Sequence, residues 1–249
     1  MSRAAPMGRA IVAQALVELR LTARRGENLL ALAGIPVLVL VFFASTSVVA
    51  VPGDHSVSYL LPGALALAVV AAGLVNLGIA TAYERSYGVL RRLGASPLGR
   101  PGLVVAKVAS IAAIVAVQTI ALLLVAWLAL GWRPGAGASV PLLIATLTLG
   151  TATFASLGLL LAGTLRAEAT LALANGLFVL TVAIGGVVVP TSALPAPLAT
   201  LADLLPAAAL SGSLRQALGT TTAGPLPFVA LAGWTAAAAA LASRTFRWD

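Results

Sequence analysis

Apolar residues in this chain gather into six long runs, and Arg, Gly and Pro collect in the stretches between them. The runs cover 29–51, 59–83, 103–130, 140–165, 169–189 and 226–242. Each is near or above the length that an α-helix needs to cross a hydrocarbon core of about 30 Å. The pattern therefore predicts an all-α integral membrane protein of six transmembrane helices, organised as one domain over 1–249. Ahead of the first run, over 9–25, Val12, Leu16, Leu19 and Ala23 recur at helical spacing while Gln14, Glu18, Thr22 and Arg25 form an opposite polar stripe. This predicts a helix lying in the cytoplasmic interface. Between the last two runs, 190–225 is cut by prolines at 190, 195, 197 and 206 and carries Leu198, Leu201, Leu204, Leu205 and Leu210. It is too apolar for a hydrated loop, so short re-entrant helices are expected there, with Leu198, Leu201 and Leu205 burying one face.

Composition agrees with the pattern. Apolar residues make up 60% of the chain, charged residues 9%, and the mean hydropathy is +1.06. The absence of cysteine excludes disulfides, thiolate catalysis and Cys-ligated metal, and a single histidine, His55, excludes a histidine cluster. Asp54 and His55 share a short outer loop with no third ligand in sight and receive no role.

The net charge of +8 raises the question of nucleic acid, and the placement of the charge answers it. Thirteen of the fifteen Lys and Arg precede the first span, lie between spans 2 and 3 (Arg85, Arg91, Arg92, Arg100, Lys107) or between 4 and 5, or follow span 6. Only Arg133 and Arg215 fall on the other side. Basic residues accumulate on the cytoplasmic side, so both termini are expected in the cytoplasm of a cell in whose plasma membrane the chain sits. Anionic membrane lipids are the expected partner of this charge, and nucleic acid is not. No cleavable signal peptide is expected, because five arginines stand within the first 28 residues.

Inside the spans the polar residues are mild. Asn76, Gln118, Asn175 and Thr181 are the candidates for lining a pathway or for bonding helix to helix. Ala64, Ala68, Ala72, Asn76 and Ala80 repeat every fourth residue, and Gly158 with Ala162 makes a shorter stripe of small residues. Such stripes let a neighbouring helix approach closely. No ionisable group is expected deep in a span, which leaves ion-coupled transport without a carrier.

The segment after span 2 reads YERSYGVLRRLGASPLGRPGLVVAK from Tyr83 to Lys107. Span 2 continues into a short polar helix that Gly94, Pro97 and Pro101 end, so 84–100 forms a compact basic elbow. Its string E-R-x-x-G-V-L-R-R-L-x-A-S-P-L resembles the cytoplasmic loop signature of ABC-2-type exporter permeases, and within them the group that includes the daunorubicin-resistance exporter. The resemblance extends over the interfacial helix, the six spans, the re-entrant segment and the closing Arg244-Thr245-Phe246-Arg247-Trp248.

It implies that the elbow is a coupling helix docking into a cytoplasmic ABC ATPase, with Glu84, Arg85, Gly88, Leu90, Arg91 and Leu93 at the contact. Ser86 stands where the family commonly has a second acidic residue. It also implies a second permease, as a homodimer or with a sister chain, and places ATP and Mg on the ATPase. The residues agree that no cofactor is bound here: the only lysine follows Ala106 and precedes Val108, so no phosphate-binding G-x-x-x-x-G-K-[ST] loop exists. Neither G-x-S-x-G nor H-E-x-x-H occurs, which argues against an enzyme. Walls of Ala, Val, Leu, Gly and Thr suit a hydrophobic or amphipathic cargo such as a drug, an antibiotic or a lipid-like metabolite. The alternatives are a secondary transporter or channel, which calls for buried ionisable groups or inverted repeats, and a non-transporting membrane scaffold.

Overall fold

The computed structural model of the chain describes residues 6–24, 34–46, 56–96, 98–187, 191, 195–221 and 224–248, and every regular element among them is helical. In chain order these are α1 (Met7–Arg24), α2 (Ile35–Ser45), α3 (Ser56–Val70), a π-helical stretch (Ala71–Leu77), α4 (Gly78–Ser86) and α5 (Val89–Gly94). There follow α6 (Gly99–Leu128), α7 (Val140–Thr164), α8 (Ala167–Ile184), α9 (Ala196–Asp203), α10 (Pro206–Ala217) and α11 (Leu226–Thr245).

Among the described residues, five helices are long and apolar enough to cross a bilayer: Val57–Ser86, running from α3 through the π stretch into α4, then α6, α7, α8 and α11. They coincide with the expected spans 2 to 6. Of the expected first span, the described part is α2, an apolar helix of 11 residues opened by Pro36. The rest of that span, Asp54 and His55 lie outside the described residues. Three boundaries move for local reasons. Span 3 begins at Gly99 rather than 103, because Pro101 falls in the first turn, where a missing N–H costs nothing, and so opens this helix rather than ending the previous one. Span 5 stops at Ile184, where Gly185 and Gly186 follow and Gly186 takes φ +65°. The last span runs on to Thr245, its Arg244 complementing the negative helix end.

At the centre, α7 packs against α11, α4, α10 and the π stretch. The small-residue stripes make this possible. A Cβ at Gly73 would stand 2.8 Å from the Ala155 amide, and one at Gly158 would collide with the Gly73 carbonyl. Backbones therefore touch where span 2 crosses span 4. Thr153 and Thr235 share a hydroxyl hydrogen bond of 2.7 Å between α7 and α11. Ala64, Ala68 and Ala72 are buried in the core, whereas Asn76 and Ala80 line a cavity. The expected stripe is thus split in function at the π stretch.

The first helix lies along α6, and it docks the other way round from a free interfacial helix. Gln14, Glu18 and Thr22 of its polar stripe are turned toward the protein, whereas Met7, Val12, Leu16, Val17 and Leu21 are exposed. Leu19, from the apolar stripe, is an exception and packs on the core. Polar atoms can face inward because the protein offers them partners there, while lipid accepts the apolar side.

Candidate coupling elbow and intramembrane cavity

The elbow is a turn followed by one and a half turns of helix. Gly88 makes it, with φ +69° and ψ +11°, and its amide donates to the Arg85 carbonyl at 2.9 Å. Nothing would touch a Cβ at Gly88, so glycine is required here by the backbone conformation and not by space. Leu90 is fully buried and Leu93 half-buried: they pack with Leu98 and Leu103, with Ala10 and Ile11 of α1, and with Phe246 and Trp248 of the C-terminal tail. Arg100 stacks over the Trp248 ring at 5.3 Å. The inner side of α5 is thus strapped down from both ends of the chain, and Ser86, Tyr87, Val89, Arg91 and Arg92 remain exposed.

Of the residues the resemblance assigns to the ATPase contact, the structure places only Arg91 on this exposed face. Arg85 turns back and donates to the Leu165 carbonyl at 2.6 Å, capping the end of α7 with a cation where the helix dipole is negative. Glu84 faces Lys107, whose ammonium stands 2.6 Å from it and 3.0 Å from Glu18 of α1. Gln14 adds a hydrogen bond of 3.1 Å to the same Glu18 oxygen.

Lys107 thereby corrects one expectation. It is not a loop residue holding topology but sits in the third turn of α6 with a side chain 2% exposed. The signal was present in the sequence, since 103–130 includes it, yet pattern alone does not say what a helical lysine faces. Burial of an ammonium is tolerated because two carboxylates converge on it.

Beside the elbow a cavity of about 760 Å³ opens between α2, the π stretch, α4 and α8. Asn76 and Asn175 both line it, with Tyr83, Glu84, Tyr87 and Phe178 toward the elbow. Asn175 bonds back to the Leu171 carbonyl at 2.9 Å and is exposed, so it ties no second helix. The other two intramembrane candidates lie elsewhere. Gln118 is buried within α6, and Thr181 bonds the Leu177 carbonyl of its own helix at 2.9 Å. Thr181 also lines a separate apolar cavity of about 130 Å³, together with Leu205.

At the opposite end of the bundle, α9 and α10 meet at 76°. Leu198 and Leu201 are exposed there, while Leu205 is half-buried. The Trp234 indole donates to the Leu204 carbonyl at 3.0 Å and pins the bend to α11. Arg215 of α10, within the segment expected to form re-entrant helices on the outer side, stacks on Tyr59 at 4.2 Å and donates to the Gly186 carbonyl at 2.6 Å. Nothing in the sequence pattern pairs these three residues, since each is distant from the others along the chain.

None of the curated proteins is similar enough to this chain to count as a relative. The family model does match: residues 11–219, from α1 through the elbow and the spans to the end of α10, fit the ABC-2 type transporter. ABC-2 membrane domains are transmembrane components without an ATPase of their own and work with an ATPase partner. A helical membrane bundle with a strapped, basic elbow after its second span, matched over most of its length, makes this chain a member of the ABC-2 type transporter family.

Proposed function

We propose that this chain is the permease subunit of an ATP-driven exporter that moves hydrophobic or amphipathic compounds, and that α5 is where its ATPase docks. The observation that carries the reading is the two-sided build of the elbow: Leu90 and Leu93 are held from inside, and Tyr87, Val89, Arg91 and Arg92 are presented together outside. A rigid knob with an apolar-aromatic centre and two cations suits a cleft on a protein partner. ATP and its Mg ion belong to that partner. The distribution of basic residues supports a cytoplasmic elbow and cytoplasmic termini, with the bent α9–α10 pair outside.

The cavity beside the elbow supports the cargo class. Its volume of about 760 Å³ lies within the range of small-molecule sites, and its apolar walls carry the two amides of Asn76 and Asn175. A compound with an apolar body and a few polar groups fits such walls better than a glycan does. Likeness of the elbow string to the daunorubicin-resistance group points the same way. One wall of the cavity is α8, which leaves most of its surface exposed, so a second permease is assigned to complete the pathway.

Inside-out vesicles containing the permease and its ATPase test the reading. ATP should drive accumulation of a fluorescent amphipathic dye and not of a fluorescent oligosaccharide. Arg91→Ala with Arg92→Ala should abolish ATPase association while leaving membrane insertion intact. Dye accumulation by the double variant at the wild-type rate would remove α5 from the docking role.

A further inference from the structure

We infer that Lys107, Glu18 and Glu84 form a joint that makes the membrane-lying helix α1 move with the elbow, so that docking and ATP turnover act on the bilayer-facing helix as well as on the spans. The inference rests on the exporter reading and adds a part to it. Three observations carry it. Glu84 sits at the end of α4, directly before the turn at Gly88. Lys107 is on α6 and Glu18 on α1, so one ammonium ties three separate elements at 2.6 and 3.0 Å. Finally, α1 turns Gln14, Glu18 and Thr22 of its polar stripe inward, so its hold on Lys107 is ionic, while Val12, Leu16 and Leu21 face outward together with Arg9, Arg20 and Arg24.

Neutralising Lys107 requires one carboxylate. Glu84 alone, at 2.6 Å, meets that requirement. A second glutamate takes the cluster past neutrality, so charge balance alone does not call for it, although it satisfies another of the three N–H donors of the ammonium. What Glu18 adds is connection to α1. Around the buried ammonium the attraction is strong and short-ranged, and Gln14 holds the Glu18 carboxylate in place by a hydrogen bond. Displacement of Glu84 with the elbow therefore draws on Lys107 and, through it, on α1. With Val12, Leu16 and Leu21 exposed on its far side, α1 would disturb the surrounding lipid as it moved, while Glu84 itself lines the cavity. Lys107 and Glu18 are positioning residues, acting on transport through the elbow.

The chain has no cysteine, so nitroxide pairs can be placed freely. In nanodiscs, labels at Val12→Cys and Ala95→Cys, both exposed positions and neither on the docking face, report the distance from α1 to the elbow, and a label at Ala136→Cys gives a reference at the opposite end. In the wild-type chain the α1–elbow distance distribution should be narrow. With the ATPase and ATP, both labels should shift against Ala136 while keeping their distance from one another. Glu18→Gln leaves Lys107 paired with Glu84, so the fold survives. In the chain alone it should broaden the α1–elbow distribution. In the complex it should abolish the shift of α1 while the elbow still moves, and Glu18→Asp should restore the coupled shift. An α1–elbow distribution as narrow in Glu18→Gln as in wild type overturns the joint and assigns the connection to the apolar contact of Ile11 with Leu90. Absence of any elbow shift in the wild-type complex counts instead against the exporter reading, and the chain-alone measurement still decides the joint.

Discussion

Lys107 and Arg215 are both cations drawn into the protein, at opposite ends of the bundle, and they are accommodated in opposite ways. Tyr59 and Glu84 stand at the two ends of one continuous helix, so the sites they mark are separated by about 38 Å along it. Around Lys107 two carboxylates converge and the charge is more than neutralised. Around Arg215 there is a ring face, the Gly186 carbonyl at 2.6 Å and the Ser211 hydroxyl at 3.4 Å, all neutral. A guanidinium, planar and weakly hydrated, can be held by π electrons and a carbonyl dipole. An ammonium is a compact, strongly hydrated charge and needs anions when water is removed. The elbow end is accordingly tied by ions that all depend on one cation, Lys107, and the far end by weaker contacts that fail separately.

The largest effect expected from this contrast is that of Lys107→Met, which fills nearly the same volume but leaves Glu18 and Glu84 facing one another without a cation. It should destabilise the protein by about 3–5 kcal/mol, the range for breaking a buried ion cluster by removing one partner. Thermal unfolding in detergent checks this. A loss no greater than that of Arg215→Met would erase the difference between the two ends.

Next comes a test of how dry the far end is. Leu201 is exposed on α9, and if that face meets lipid, Leu201→Asp should cost about 2.5–3.5 kcal/mol and reduce membrane expression. Thr221→Asp, in the stretch before Pro225, should be tolerated. Equal tolerance of both would make the far end a hydrated loop region, and the neutral surroundings of Arg215 would then need no special account.

Arg215→Met should be milder, about 1–2 kcal/mol, because it forfeits a cation–π contact and one hydrogen bond but also removes a poorly hydrated charge. Its signature should be local: loosening of α10 against α3, read as faster hydrogen exchange in α10 with the elbow unaffected. The smallest effect belongs midway between the ends. Thr153→Val removes the 2.7 Å hydroxyl contact to Thr235, yet Thr235 keeps its bond to the Leu231 carbonyl at 2.9 Å. A loss of about 0.6 kcal/mol is expected in the same unfolding measurement. A larger one would mean that neutral hydrogen bonds carry as much here as the ionic joint does.

Much of this architecture was legible in the residues. Length and hydropathy of the runs determine where helices cross, because a backbone in hydrocarbon has no alternative to internal hydrogen bonding. Of the elbow, the end of its short helix at Gly94 was legible, whereas the turn at Gly88 interrupts a stretch expected to continue span 2 as helix. The small-residue stripes foretold close helix contact, because absence of a side chain is a property of the residue itself.

What only the tertiary structure decided is the direction in which polar groups face. The stripe of Gln14, Glu18 and Thr22 reads as a water-facing surface because amphipathic pattern separates two sides without saying which side meets the protein. Lys107 reads as a charge between spans and Arg215 only as a charge on the outer side, and both are drawn inward by residues from other parts of the chain. Glu18 and Lys107 are 89 residues apart, and Arg215 and Gly186 are 29 apart. The energy that pays for burying a charge comes from a partner brought up by folding, and periodicity within one helix carries no record of that partner.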